Sequence, residues 1–296
     1  MQGTQTPFEH RSRREETLAH CTGSFFSTPL FRCVDPRRRW RPSWVLGCRP
    51  IVKMARGHGS DFLQGTFMNV VVLTGAGVSA ESGVPTFRGA DGLWEGHRFE
   101  DVATPEGFRR DPTSVHHFYN ERRRALLQPH IKPNAAHLAL AEFEARWPGQ
   151  FLLVTQNIDD LHQRAGSQRV LPMHGELLKA RCLETGCLYD WRGDLSVVTP
   201  HPQDPTKLGY LRPHVVWFGE LPLGLDQIRA AAEQADVFVA IGTSALVYPA
   251  ASIVDWTPAT CHRVEINLEN TPASARFHEA LRGGASAIVP SFLQTL

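Results

Sequence analysis

Residues 74–88, T-G-A-G-V-S-A-E-S-G-V-P-T-F-R, constrain this chain more than any other stretch. They follow Val70-Val71-Val72-Leu73, an apolar β-branched run with the pattern of a strand buried on both faces. A glycine turn then opens toward a helix. In an open α/β sheet that junction binds a dinucleotide pyrophosphate, through backbone N–H groups and the positive end of a helix. Gly75 and Gly77 permit close backbone approach to phosphate. Ala80 stands where the dinucleotide fingerprint accepts a small residue. Glu81, Pro85, Phe87 and Arg88 then crowd the loop with bulky and charged groups. That departure from the dehydrogenase pattern points to a nucleotide held for more than redox positioning.

From Asn69 onward, strand and helix patterns alternate. Strands are predicted at 70–74, 151–155, 170–174, 215–218, 237–242, 264–268 and 287–289. Helices are predicted at 113–127, 134–147, 225–234, 249–256 and 273–281, with Asp111-Pro112 and Lys132-Pro133-Asn134 as helix entries. Such alternation implies an α/β fold with a Rossmann-like, doubly wound parallel sheet. Residues 181–211 break the rhythm with two cysteines, several prolines and weak periodicity, and read as a small inserted module. Helices are expected at about 95–130. Residues 1–65 carry an Arg cluster and scattered prolines and read as a disordered basic extension, leaving 66–296 as the folded domain.

A formal net charge of +1 over 296 residues argues against a global nucleic-acid binder. No apolar run approaches the roughly 20 residues of a membrane span. The six cysteines are scattered in a chain too large to need disulfide staples, so a reducing, cytoplasmic setting is expected. The basic extension allows a mitochondrial transit peptide, but Glu9, Glu15 and Glu16 count against one.

Three more polar clusters follow predicted strands: Gln156-Asn157-Ile158-Asp159, Met173-His174-Gly175-Glu176 and Gly242-Thr243-Ser244. Ligands of open α/β sheets bind beyond the carboxyl ends of strands, so these clusters and the glycine loop are expected to share one crevice. With His214-Val215-Val216-Trp217-Phe218-Gly219-Glu220 and Asn267-Leu268-Glu269, they carry a resemblance to the sirtuins, the NAD-dependent protein deacylases. The resemblance runs from about Asn69 to the end and is nearest the bacterial class III, desuccinylase-type branch.

The resemblance implies that NAD lies extended between the Rossmann-like domain and the small one. Gly75, Ala76, Gly77, Ala80 and Glu81 would cradle the pyrophosphate and adjacent ribose, and Gly242, Thr243 and Ser244 would hold phosphate and ribose oxygens. Asn267, Leu268 and Glu269 would meet the adenosine ribose, and Ala287 the adenine. Phe87 would cover the nicotinamide face with Ile158 beside it, Arg88 would contact phosphate or orient the reactive ribose, and Thr86 and Trp94 would be further cofactor contacts. Gln156, Asn157 and Asp159 would position the nicotinamide ribose and carboxamide. His174 would be the general base, suited by an unperturbed histidine pKa near 6.5. Nicotinamide and O-acyl-ADP-ribose would be the released products.

Tyr119 and Arg122 share a helix face at the Y-x-x-R spacing that, in class III, recognises acidic acyl groups. Ala103 would leave room for the longer chain, and residues Val216, Trp217, Phe218, Gly219 and Glu220 would pair with the substrate peptide by strand addition. Sirtuins usually hold a structural zinc on two Cys pairs. Here Cys182 and Cys187 have no second pair in the module, and a metal-free module is expected, with His201 and Asp204 the alternative ligands. An NAD-dependent protein ADP-ribosyltransferase and a non-catalytic NAD sensor stay open beside the deacylase. The partners expected are acyl-lysine proteins, with no membrane or specific nucleic acid, and the chain is expected to be a monomer.

Overall fold

The computed structural model describes residues 67–86, 93–94 and 96–296. The expected extension, Phe87 and Arg88 lie outside the described residues, as does the side chain of Trp94. The chain runs β1 (Val70–Thr74), α1 (Gly77–Ala80), β2 (Leu93–Trp94), β3 (His97–Arg98), α2 (Phe99–Val102), α3 (Pro105–Arg110), α4 (Pro112–Leu126), α5 (Ala135–Arg146), β4 (Phe151–Thr155), α6 (Leu161–Ala165) and β5 (Val170–Pro172). It continues through β6 (Gly175–Cys182), β7 (Leu188–Asp190), β8 (Pro200–His201), β9 (Asp204–Leu208), β10 (Leu211–Val215), α7 (Leu225–Ala232), β11 (Val237–Ile241), β12 (His262–Asn267), β13 (Glu279–Arg282) and α8 (Ala285–Leu293).

Six strands form a parallel sheet in the order β13-β12-β11-β1-β4-β5. The chain leaves β1 in one direction through β4 and β5. It then crosses back to β11 on the other side of β1. That reversal leaves a crevice beyond the carboxyl ends of β1 and β11, the place where such sheets bind ligands.

Helical layers on both faces explain why β1 and β11 are apolar at every position. Val70, Val72, Val237, Val239 and Ile241 pack with Leu140 and Phe143 of α5 and Val289 and Phe292 of α8. Their neighbours Val71, Leu73, Phe238 and Ala240 point the other way, onto Ile228 and Ala232 of α7 and onto Ile253 and Val254 of the 3-10 segment Ala250–Trp256. Each large apolar side chain so buried contributes about 1.5–3 kcal/mol. Both predicted helix entries are used. Asp111 accepts from Ser114 N at 3.0 Å ahead of Pro112. Asn134 accepts from Ala136 N at 2.9 Å in a capping box with His137.

The C-terminal expectations need correction. Residues 273–281 are not a helix: a short 3-10 turn, Ser274–Arg276, leads into β13. The buried Glu265 carboxylate draws Thr271 Oγ1, Ser274 Oγ and Arg282 Nη2 to itself at 2.6 Å each, and the open edge of β12 takes the chain as a strand. Residues 287–289 are not a strand but lie inside α8, whose Ala285, Val289 and Phe292 recur at helical spacing and pack on the sheet. The expected strand at 215–218 also moves. β10 ends at Val215, and Val216 N and Phe218 N reach His174 O and Ala103 O instead. The segment 249–256 is 3-10, not α.

A second sheet, β10-β6-β7, and the hairpin β8–β9 occupy the stretch that broke the alternation, with a small core of Ala180, Cys182, Tyr189, Leu195 and Leu211. Helices α2 to α4 add Val102, Ala103, Val115, Phe118 and Tyr119 to a separate cluster with Leu177, Val215 and Trp217. Among the described residues no helix is long and apolar enough to cross a membrane.

Candidate active site

The glycine loop makes its first contact with protein. A Cβ on Gly75 would meet the Gly242 carbonyl oxygen at 2.7 Å, and one on Gly77 the Gly242 Cα at 2.7 Å. Both glycines therefore let the loop after β1 seat on the loop after β11, where Gly77 N donates to Gly242 O at 2.9 Å. The helix expected to open from this loop is a single turn of 4 residues, α1, followed by Gly83 at φ 87°. Within this turn Gly77 N, Val78 N and Ser79 N already donate to Gly242 O, Gly75 O and Ala76 O, so the loop offers a phosphate no long helix dipole. Glu81 is committed elsewhere. Its carboxylate accepts from Ser286 N at 3.0 Å and from Ser286 Oγ, which caps α8 and holds the Glu81 pKa below its ordinary value. Ala287 is exposed on that same first turn.

The polar clusters at the strand ends form a connected set. His174, after β5, places Nδ1 3.0 Å from the Gln156 carbonyl oxygen. Gln156, after β4, donates from Nε2 to Thr243 Oγ1 at 2.9 Å, and Asn267, at the end of β12, donates to Thr243 O at 2.8 Å. Four strand ends are thus joined around the crevice. A carbonyl only accepts, so His174 Nδ1 carries the proton and Nε2 keeps a lone pair. Burial lowers the His174 pKa, against a smaller upward pull from the Gln156 carbonyl, so the ring is neutral at pH 7. Ser244, Leu268 and Glu269 are exposed at the mouth, while Gly242, Ile158 and Thr86 are partly buried.

Beneath His174 lies a second network. Asn134 N donates to His137 Nδ1 at 3.3 Å, which leaves the His137 proton on Nε2, 3.4 Å from Ser79 Oγ. Asn157 Nδ2 donates to the same oxygen at 3.1 Å, and Ser79 donates to Asp159 Oδ2 at 2.9 Å. The hydroxyl thus accepts twice and donates once, its full capacity. Asp159 Oδ1 accepts from Leu161 N at 3.0 Å, and burial raises the carboxyl pKa against these hydrogen bonds. Thr74 Oγ1 lies 3.0 Å from His162 Nε2, and the His162 and His137 rings are 4.8 Å apart. Ser79, His137 and His162 had no role in the sequence reading. Ser79 stood inside the quoted run, and His137 one helical turn after a recognised N-cap. Their burial, 0 %, 0 % and 1 % exposed, is the signal that separates them from ordinary surface residues.

Ala103, Tyr119 and Trp217 meet in one cluster. Tyr119 Oη accepts from Trp217 Nε1 at 2.9 Å, and burial pushes the phenol pKa well up. Arg122 is half-buried, with its guanidinium carbon 3.2 Å from the Phe118 ring centroid and Nη1 donating to Phe118 O at 2.8 Å. Val216, Trp217 and Phe218 direct their N–H groups to His174 O, Glu220 Oε2 and Ala103 O at 2.8, 2.8 and 2.9 Å. Gly219 turns at φ 90°.

The zinc implied by the sequence resemblance does not fit. Among the described residues no group of three or more His, Cys, Asp or Glu side chains is placed to hold a metal. Cys182 is a buried member of an apolar cluster, and His201 Nε2 lies 3.4 Å from Tyr189 Oη. Asp204 accepts from Thr206 N and Oγ1. The apolar core stands where metal would otherwise tie the module together. Purified protein is expected to carry far less than one zinc per chain by mass-spectrometric metal analysis; stoichiometric zinc would overturn this. The NAD implied by the same resemblance does fit. At the strand ends the amides of Gln156, Asn157 and Asn267 each give one N–H to the protein and carry a second for a nucleotide's oxygens, beside the accepting Thr243 hydroxyl and a buried carboxyl at Asp159.

A profile described as the Sir2 family matches residues 75–249. An NAD-dependent protein deacylase of Rhodopirellula baltica is 63% identical over 233 residues, covering 76% of this chain and 98% of that protein. A solved Sir2 homolog–NAD complex is 40% identical, with a TM-score of 0.67, covering 76% of this chain and 88% of that one. A Sir2–p53 peptide–NAD+ structure is 29% identical, with a TM-score of 0.65, covering 76% and 92%.

Proposed function

This chain belongs to the Sir2 family and is an NAD-dependent protein deacylase, and we propose that His174 is its general base and that succinyl- and malonyl-lysine are among its substrates. The observation that carries the first part is the tautomer of His174. With Nδ1–H held by the Gln156 carbonyl at 3.0 Å, the Nε2 lone pair is the site that takes a proton. Bound NAD supplies an electrophilic ribose carbon to the acyl oxygen as nicotinamide leaves. Around it, Gly75, Ala76, Gly77, Ala80, Thr243 and Ser244 would hold the pyrophosphate, and Asn267, Leu268 and Glu269 the adenosine ribose. Asn157 and Asp159, locked through Ser79, would orient the nicotinamide ribose and carboxamide. Ile158, packed against an apolar cluster, would exclude water from the reacting carbon.

The acylated protein would lie along residues 216–220. Because Val216, Trp217 and Phe218 direct their N–H groups inward, main-chain pairing with a peptide would fall to the neighbouring carbonyls and Gly219. Tyr119 and Arg122 support the acidic-acyl reading, since a hydroxyl and a half-buried guanidinium share one face of α4 beside Ala103. Mass spectrometry of acetyl- and succinyl-lysine peptides, with and without NAD, tests the whole reading. Both peptides should be deacylated only with NAD, releasing nicotinamide and O-acyl-ADP-ribose. NAD-independent activity, or transfer of ADP-ribose to the peptide instead, would overturn it. Arg122→Met should largely abolish desuccinylation while sparing much deacetylation, since stranding a carboxylate without its cation costs roughly 2–5 kcal/mol. Equal loss of both activities would remove the assignment.

A further inference from the structure

Arg212 has no role in the sequence resemblance, yet it ties Glu220, Val215 and Trp217 together. Arg212 is 4% exposed. Its Nη1 and Nη2 donate to Glu220 Oε1 and Oε2 at 2.7 and 2.9 Å, a two-point fork on one carboxylate. Nη2 also donates to Val215 O at 2.7 Å, and the guanidinium carbon lies 3.3 Å from the centre of the Trp217 ring. Arg181, opposite Arg212 across β6 and β10, reaches the same carboxylate at 3.2 Å. Glu220 Oε2 in turn accepts from Trp217 N at 2.8 Å. Trp217 is therefore held at its backbone by Glu220 and over its ring face by Arg212. Its one side-chain polar atom, Nε1, donates to Tyr119 Oη.

We propose that Arg212 is a positioning residue for acyl selectivity, acting through Trp217 on the Tyr119 hydroxyl. This rests on the reading that Tyr119 and Arg122 receive the acidic end of the acyl group. Tyr119 Oη accepts a hydrogen bond from a fixed indole, so its own O–H, which conjugation keeps near the ring plane, is turned to the side away from the indole. A carboxylate needs that O–H aimed at it, whereas the methyl of an acetyl group needs nothing there. Arg181 shares the Glu220 carboxylate, so the proposal is tested with the charge kept constant, by replacing the guanidinium with an ammonium. Lysine cannot replace it: a single ammonium offers neither the two-point fork to Glu220 nor a planar face for the indole.

The test is steady-state kinetics on acetyl- and succinyl-lysine peptides of one sequence, with saturating NAD. Arg212→Lys should raise KM for the succinyl peptide about 10-fold, the size of one lost hydrogen bond to a charged group. Its kcat on that peptide should change little, and its KM for the acetyl peptide should stay within about 2-fold of wild type. Trp217→Phe keeps an aromatic ring but removes the N–H. It should lower the succinyl-to-acetyl ratio of kcat/KM by a similar factor, which holds the proposal to account even if Arg212→Lys folds poorly. Equal losses on both peptides in Arg212→Lys, or an unchanged ratio in Trp217→Phe, would reduce the arrangement to structural support and overturn the proposal. A wild-type enzyme inactive on succinyl-lysine would instead remove the acidic-acyl reading, and this inference with it.

Discussion

His174→Ala should lower kcat for deacylation by about 10²–10⁴-fold, the usual contribution of a positioned general base. The fold should survive, because His174 is only partly buried and its ring bonds to a backbone carbonyl, while its own carbonyl, which holds Val216 N, stays in the variant. NAD affinity, read by calorimetry, should change far less than kcat, since the groups that would hold the nucleotide are on other strand ends. The wild-type pH profile of kcat/KM should show an acid limb below the ordinary histidine value, because burial lowers the His174 pKa. Activity should rise as the ring loses its proton and then level off. A His174→Ala variant within 10-fold of wild type (about 1.4 kcal/mol) would mean that another group takes the proton.

Acid should unfold this protein well before its carboxylates protonate. His116, His137, His162 and His214 are 2 %, 0 %, 1 % and 5 % exposed. Burial, as the leading cause in each case, drives their pKa values down to about 4, 4, 3 and 4. For His116 and His214 nearby arginines push in the same direction. In the unfolded chain each would titrate near 6.5. As pH falls through that value the unfolded state binds protons that the folded state refuses. Stability is therefore full above about pH 7, falls through the window from about 6.5 to 4, and levels below it, at about 1.4 kcal/mol per pH unit for each histidine. Between about pH 7 and pH 5 the sum is on the order of 7 kcal/mol, comparable with the whole stability of a typical domain. Denaturant titrations at several pH values measure this slope directly. His116→Gln should flatten it by about one proton. A stability constant between pH 7 and 5 would show that these rings gain compensating partners on protonation.

The strands of the central sheet were legible because their pattern is local. Val70-Val71-Val72-Leu73 and Val237-Phe238-Val239-Ala240-Ile241 are apolar at every position, and only a strand covered on both faces uses such a run. Asp111-Pro112 and Asn134 announce their helices through bonds to the next few residues. The stretch 273–289 misled for the opposite reason. Alanines and a β-branched pair fit either period, and the decision came from distant partners: the edge of β12 for residues 279–282, and Glu81 with the sheet face for α8. Residues 216–218 read as a strand by composition, yet their N–H groups are taken by His174, Glu220 and Ala103.

By itself the sequence determined the doubly wound architecture, the crevice at its carboxyl edge and the kinds of side chain that line it, because hydrophobic period and turn chemistry act over a few residues. Only the tertiary structure decided how those side chains share protons. His174 keeps its lone pair on Nε2 because Gln156 faces its other nitrogen, and Ser79 serves Asp159 because His137 and Asn157 fill its remaining capacity. Glu81 caps α8, Cys182 sits in an apolar core, and Arg212 grips Trp217. Several of these contacts join residues more than 50 positions apart. They depend on where the packed elements bring the groups together, which no local pattern records.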